Sequence, residues 1–184
     1  HMANIEISSL IKQTQQFKTT VNDLHERKEE LEEERQFLKR WAPLTFNPKQ
    51  LSAFKITKVM VGAIDTERYN ELEKQLSHFS EIYIETLNYS EDEILLLVIA
   101  SIEEAHDVEQ TLIRHRFEQI NYDYNELPSE ELKRNHQDIQ ELEKQIEEIK
   151  NHKDLHIELL NDLKFAEEYL YSLRERLRVM EDIL

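Results

Sequence analysis

The chain has 184 residues, with 23 Lys and Arg against 39 Asp and Glu, so its formal charge is −16 with neutral histidines. Such a charge opposes nucleic acid as a partner, because the phosphate backbone must be neutralised by cations. Charged residues make up 34% and apolar residues 39%, against usual shares of about 25% and 45–50%, so the apolar residues must be gathered on faces, which disfavours an ordinary globular enzyme.

Gly62 is the one glycine, so a phosphate-cradling loop, a dinucleotide-binding turn and a nucleophile elbow cannot be built. The chain has no cysteine, which removes disulfides, thiolate metal sites and thiol nucleophiles and suits a reducing compartment. The longest apolar run, Ile94–Ala100, has seven residues, where a membrane span needs roughly 18, so no direct membrane insertion is expected. His1-Met2 reads as a tag-removal scar, and the chain as an excised domain.

Three segments are expected: a first coiled-coil helix over 3–42, an inserted α/β lobe over 43–127 and a second coiled-coil helix over 128–184. In the first, Ile7, Leu10, Thr14, Phe17, Val21, Leu24, Lys28, Leu31, Arg35 and Leu38 alternate in steps of three and four, which is a heptad seam. The helix stops at Pro43, which lacks an N–H and displaces its predecessor from the α region. The second seam, with Ser129 as N-cap, runs Leu132, Asn135, Ile139, Leu142, Ile146, Ile149, Lys153, His156, Leu160, Leu163. It then slips by one short step to Ala166 and continues through Leu170, Leu173, Leu177, Met180 and Leu184.

Antiparallel pairing of the two helices keeps the sum of facing residue numbers constant. A sum of 170 gives ten layers, six of them apolar on both sides, including Leu24/Ile146 and Leu31/Ile139. A sum of 177 gives nine layers with three apolar on both sides, burying more unpaired polar groups, so 170 is expected. It sets Thr14 against His156, Phe17 against Lys153 and Arg35 against Asn135.

Between the helices, Ile56–Ile64, Ile82–Leu87, Ile94–Ala100 and Phe117–Tyr122 read as strands, and Asp65–Phe79 and Ile102–His115 as helices, the second opened by the capping box Ser101–Glu104. The order is βαββαβ. A ferredoxin-like, split-βαβ arrangement places the first and third strands, here the most apolar, in the centre of the sheet. The expected fold is therefore α+β: a long antiparallel two-helix coiled coil with an inserted ferredoxin-like βαββαβ lobe.

Few side chains suggest chemistry. His152 and His156 are spaced for a shared metal, but zinc needs three or four ligands and neither Glu148 nor Asp154 completes the set. The plainer reading puts His156 in the seam and His152 in solvent. The acidic runs at 29–34 and 141–148 read as solvated coiled-coil faces, and the seam cations Lys28, Arg35 and Lys153 as register markers. No catalytic residue, cofactor or metal site is expected. The aperiodic apolar tract Trp41-Ala42-Pro43-Leu44-Thr45-Phe46 reads as a packing plug, with a partner-binding surface as the sharper alternative.

The series formed by a long helix, Lys58-Val59-Met60-Val61-Gly62-Ala63-Ile64, Glu67 and a helix, Ile94–Ile99, Phe117-Glu118-Gln119-Ile120, and Pro128-Ser129-Glu130-Glu131-Leu132 opening a long returning helix resembles the cytoplasmic half of subunit I of the V/A-type rotary ATPases, called subunit a in eukaryotic V-ATPases. The resemblance implies a hairpin coiled coil with a small lobe at each end. Residues 44–127 would be the lobe far from the membrane, which in that family binds the peripheral-stalk heterodimer. The other lobe and the ion-translocating membrane half would be absent from this fragment. The role implied by the resemblance is that of a non-catalytic stator component at the cytoplasmic face of the membrane, holding the membrane subunit against rotor torque. A bare coiled-coil scaffold and a small-effector-binding regulatory module are the alternatives; effector modules generally rely on glycine-containing ligand loops, and this lobe has only Gly62.

Two surfaces are expected to meet partners. By strand alternation, Val59, Val61 and Ala63, Ile82 and Ile84, and Ile120 and Tyr122 should meet the lobe helices. That leaves Lys58, Met60, Tyr83, Glu85, Gln119 and Asn121 on an open face as candidate partner-binding residues, with one apolar row of Ile94–Ala100 between them, covered by the stalk or, in its absence, by the tract 41–46; the outer surface of the two lobe helices is the alternative contact. Residues from about 168 to 184 continue an apolar stripe without an intramolecular helix opposite, so in the excised form it is expected to self-associate or be covered by a neighbouring molecule, and in the parent protein to be covered by the missing lobe or strand.

Overall fold

The computed structural model describes residues 2–51 and 54–183, with side chains from Glu6 onward. His1 of the tag scar and Leu184 of the stripe lie outside the described residues. The elements are α1 (Met2–Trp41), β1 (Thr57–Asp65), α2 (Thr66–Leu76), β2 (Ile82–Tyr89), β3 (Glu93–Ser101), α3 (Ala105–Arg114), β4 (Glu118–Gln119) and α4 (Pro128–Ile183), with a 3-10 turn at Pro48–Leu51. The chain divides into two compact units. One comprises the residues up to Glu34 with those from Asn135 on; the other is Arg35–Arg134.

In the first unit Leu24 and Leu31 cluster with Ile139, Leu142 and Ile146, the set that the expected register brings together. Lys28 reaches Glu143 at 3.4 Å. Asn135, fully buried, donates its amide to the Leu31 carbonyl (2.8 Å) and to Glu34 (2.9 Å), so its donors are used inside the seam, while its Oδ1 is buried without a hydrogen-bond partner among the described residues. In the adjoining turns the ring of Phe17 packs on His156, centroids 5.0 Å apart, and Thr14 donates its hydroxyl to the Leu10 carbonyl of its own helix.

The second unit holds a four-stranded sheet in the order β2-β3-β1-β4, all neighbours antiparallel, which is the ferredoxin-like arrangement with the apolar β1 and β3 central. Its helices α2 and α3 pack on one face through Leu72, Leu76, Ala105, Val108 and Leu112. The capping box forms only in part. The Glu104 amide contacts Ser101 Oγ at 3.4 Å, while the Glu104 carboxylate accepts hydrogen bonds from the amide and hydroxyl of Ser80, and regular α3 starts only at Ala105. At its far end α3 closes in a Schellman motif. Arg116 takes φ 58°, its amide bonds to Ile113 O, and the Phe117 amide bonds to Leu112 O at 2.9 Å. The motif drops the Phe117 ring into the core over Gly62, where a Cβ would lie 2.3 Å from the Glu118 carbonyl oxygen and 2.5 Å from the ring. Glycine is needed there for this close approach.

The fourth strand is two residues long rather than the expected six. After Gln119 one further bond, Ile120 N–H to Val61 O at 2.8 Å, continues toward β1. Side chains then take over. Asn47 donates to the carbonyls of Tyr124 (3.1 Å) and Asn125 (3.0 Å), and the Tyr122 hydroxyl donates to the Glu126 carbonyl. Helix α4 begins at Pro128, one residue before the expected cap Ser129, because proline's fixed φ and missing donor suit the first helical position.

Candidate docking face of the lobe sheet

The ladders fix which side chains share a face. Met60 pairs with Val98, which pairs with Ile84, and this row lies in the core against α2 and α3. Met60 is fully buried, and Lys58, on the same side, reaches Glu109 of α3 at 2.6 Å. The expected placement of β1 is therefore reversed: Lys58 and Met60 belong to the helix-covered face, while Val59, Val61 and Ala63 belong to the opposite one. The expectation for Ile120 and Tyr122 is reversed too. Ile120 packs with Val61 and Ala63, and the Tyr122 ring stacks on Phe37 with an interplanar angle of 16°. Ile82 and Ile84 do pack toward the helices, which leaves Tyr83 and Glu85 on the opposite face. Gln119 pairs with Gly62 of the helix-side row, and with Asn121 it lies exposed along the β4 edge.

Half of the opposite face is sealed by the tract after α1. Trp41 and Leu44 are buried on Val61, Ala63 and Leu95, with Phe37, Phe46 and Leu51 around them. Arg40 fastens the seal. Its Nε lies 3.1 and 3.0 Å from the two carboxylate oxygens of Glu93, a terminal nitrogen lies 2.8 Å from Glu118, and the guanidinium sits 5.1 Å from the Trp41 ring centre. The hydrogen bond to Arg40 holds the Glu118 carboxyl below its ordinary range, and the same bond raises the guanidinium pKa. Burial, with the nearby Glu131 carboxylate second, pushes the Tyr122 phenol up to about 12. Phe37, Tyr122 and Tyr124 form one aromatic group beside this seal.

The other half is open. Across the sheet Tyr83 pairs with Ile99 and Ile99 with Val59; Glu85 pairs with Leu97, which packs at the margin of the sealed cluster and pairs in turn with the buried Val61. Tyr83 is 54% exposed, Glu85 is exposed, and Val59, Leu97 and Ile99 are half-buried. At the end of these strands a groove of roughly 590 Å³ is lined by Ile56, Tyr83, Ile99 and Ile102 and edged by Lys55, Glu81 and Glu103. Ile56 is 80% exposed and Ile102 55%. An apolar centre with an aromatic and a charged rim suits protein docking rather than bond-making chemistry. Among the described residues no three His, Asp or Glu side chains gather to hold a metal ion, and no helix is long and apolar enough to cross a membrane.

Of the candidates read from the sequence, the ladders set Tyr83 and Glu85 on the open half of this face, beside the expected apolar row of the third strand at Leu97 and Ile99; Ile56, Val59 and Ile102 were not among them. The available signal was the tract 41–46, whose aromatic content needs an apolar surface to cover, together with the opposite charges of Lys58 and Glu109.

The long paired helices and the sheet order match a known architecture. A solved structure shares this fold. It is the crystal structure of the cytoplasmic N-terminal domain of subunit I, homolog of subunit a, of V-ATPase. The match covers 90% of this chain and 71% of that one, with a TM-score of 0.51 and 13% sequence identity. No family model and no curated protein sequence matches the chain.

Proposed function

We propose that this chain is a stator component of a V/A-type rotary ATPase, working at the cytoplasmic face of the membrane and joining the membrane subunit to the peripheral-stalk heterodimer. The observation that carries this reading is the fold shared over 90% of the chain with the V-ATPase subunit I domain. The role needs no catalysis from this chain. It needs a stiff helical element to bear load and a lobe with a docking surface, and the open half of the sheet face supplies the surface. Tyr83 is the anchor, Ile99, Leu97 and Ile56 form the apolar floor, and Glu85 lies at the rim. Lys58, Met60 and Gln119 belong to the helix-side row and do not take part, and Asn121 follows Gln119 along the β4 edge.

The test is capture of a purified peripheral-stalk heterodimer by this chain. Tyr83→Ala combined with Ile56→Asp should weaken capture by at least tenfold, since an aromatic anchor and an apolar neighbour are both lost. A charge change at the exposed Glu147 of α4 should leave capture unaltered. Unchanged capture by the double variant would move the contact to the outer surfaces of α2 and α3. Failure of the unaltered chain to capture the heterodimer would overturn the stator reading.

A further inference from the structure

The two edges of the lobe sheet are built differently. The β4 edge is two residues long, and its Glu118 is held by Arg40. The β2 edge runs for eight residues, Ile82–Tyr89, and among the described residues no strand pairs with its outer side. Exposed edges are ordinarily blunted by proline, lysine or a bulge. From Ile82 to Thr86 the strand has a single charge, Glu85, and none of those devices; its irregularity comes only between Thr86 and Asn88. We propose that β2 is a homodimerisation edge, at which the β2 strands of two copies of the chain pair antiparallel about a two-fold axis with Ile84 opposite Ile84. This inference stands apart from the stator reading.

Two independent constraints select that register. The Ser101 amide donates to the Glu81 carbonyl at 3.1 Å, so Glu81 and, by alternation, Tyr83 and Glu85 turn their backbone groups toward β3. The N–H and C=O groups of Ile82, Ile84 and Thr86 therefore point outward. With Ile84 opposite itself, Ile82 meets Thr86 of the second copy, and every outward donor finds a carbonyl. The side chains agree with the backbone. Tyr83 stands opposite Glu85 of the second copy on one face, and the Ile84 pair lies between two Ile82/Thr86 pairs on the other, so no like charges meet. Centring the pair one residue later sets Glu85 against Glu85, and one residue earlier sets Glu81 against Glu85, each in a closely spaced pair where like charges repel. The blunt β4 edge leaves each copy one such strand, so the assembly closes at two. Each copy carries a charge of −16, so salt screens their repulsion and should tighten the dimer.

The chain contains no cysteine, so introduced thiols report the register without background. Under oxidising conditions, Tyr83→Cys chains mixed with Glu85→Cys chains should give a mixed disulfide in excess over either self-linked product, because Cα atoms in such a non-hydrogen-bonded pair lie about 4.5 Å apart. Sedimentation equilibrium at about 0.5 mM chain in about 0.5 M salt should show a reversible dimer. Thr86 is exposed and its N–H does not serve β3, so Thr86→Pro should fold as the parent does yet associate about tenfold more weakly. Tyr83→Glu, which brings two carboxylates together, should weaken the dimer as well, and adding Glu85→Lys should restore it. A strict monomer under these conditions overturns the proposal. So does a mixed disulfide no more abundant than the self-linked ones, or a folded Thr86→Pro chain that associates like the parent. The stalk heterodimer is absent from all of these measurements, so their failure leaves the stator reading standing.

Discussion

The two faces of the lobe sheet are closed in different ways. One face is covered by regular helices, whose Leu72, Leu76, Val108 and Leu112 meet Met60, Ile94, Leu96 and Val98 in a continuous core. The other is covered over half its width by an irregular aromatic tract that Arg40 clamps to Glu93 and Glu118, and its remaining half is open. Apolar strand rows are thus needed on both sides, and the side left partly bare keeps Tyr83, Glu85 and Ile56 in solvent. A sheet that buries both faces loses the polar row by which an outward side is ordinarily recognised.

The sharpest way to break this comparison is to remove the tract's anchor. Trp41 is 1% exposed, and Trp41→Ala should cost about 3–5 kcal/mol, as much as truncating a large residue of the helix-side core. Urea unfolding measures both. A cost below about 1 kcal/mol for Trp41→Ala, with Leu112→Ala costing its full 2–5 kcal/mol, would show that the tract merely lies on the sheet.

A second substitution probes the helix-side face where β4 crosses it. Gly62→Ala places a Cβ against the Glu118 carbonyl and the Phe117 ring, and backbone and a buried aromatic cannot both step aside. The expected loss is about 2–3 kcal/mol by thermal or urea unfolding, the scale of overpacking in a full core. An unchanged stability would mean that β4 and Phe117 are not held where the ladder sets them.

Much of this was legible from residues. Heptad spacing gave both long helices, and the comparison of registers gave the contacts among Leu24, Leu31, Ile139 and Ile146, because polar mismatches penalise the alternative sum of 177. The apolar strength of Ile94–Ala100 and Ile56–Ile64 placed those strands at the centre. What failed was parity. Lys58 made its row look outward, yet an ammonium on a long stem can leave the face and pair with Glu109 at the margin of α3. Ile120 and Tyr122 were rightly read as a covered row and assigned to the wrong cover. Alternation tells which side chains share a face; it cannot tell which face the helices choose. The candidate site inherited that error at Lys58 and Met60 and escaped it at Tyr83 and Glu85, where β2 has one apolar and one polar row.

The smallest effect sharpens the comparison at the edge of the aromatic cover. Tyr122 is 7% exposed, and burial raises its phenol from 10.0 to about 12, whereas in the unfolded chain it ionises near its ordinary value. The folded form therefore keeps a proton that the unfolded form has lost between pH 10 and about 12. Below pH 10 both forms are protonated and the group contributes no pH dependence. Through the window stability must fall with rising pH, by at most about 1.4 kcal/mol per pH unit for this single group. Tyr122→Phe removes the titration while keeping the ring against Phe37, so the variant should be slightly less stable than the parent at pH 9, where the bond to Glu126 is lost, and should gain on it steadily above pH 10. Urea midpoints at pH 9, 10 and 11 measure the difference. A constant gap across that range would mean that the Tyr122 hydroxyl is solvated, and that the aromatic cover ends at Phe37 and Trp41.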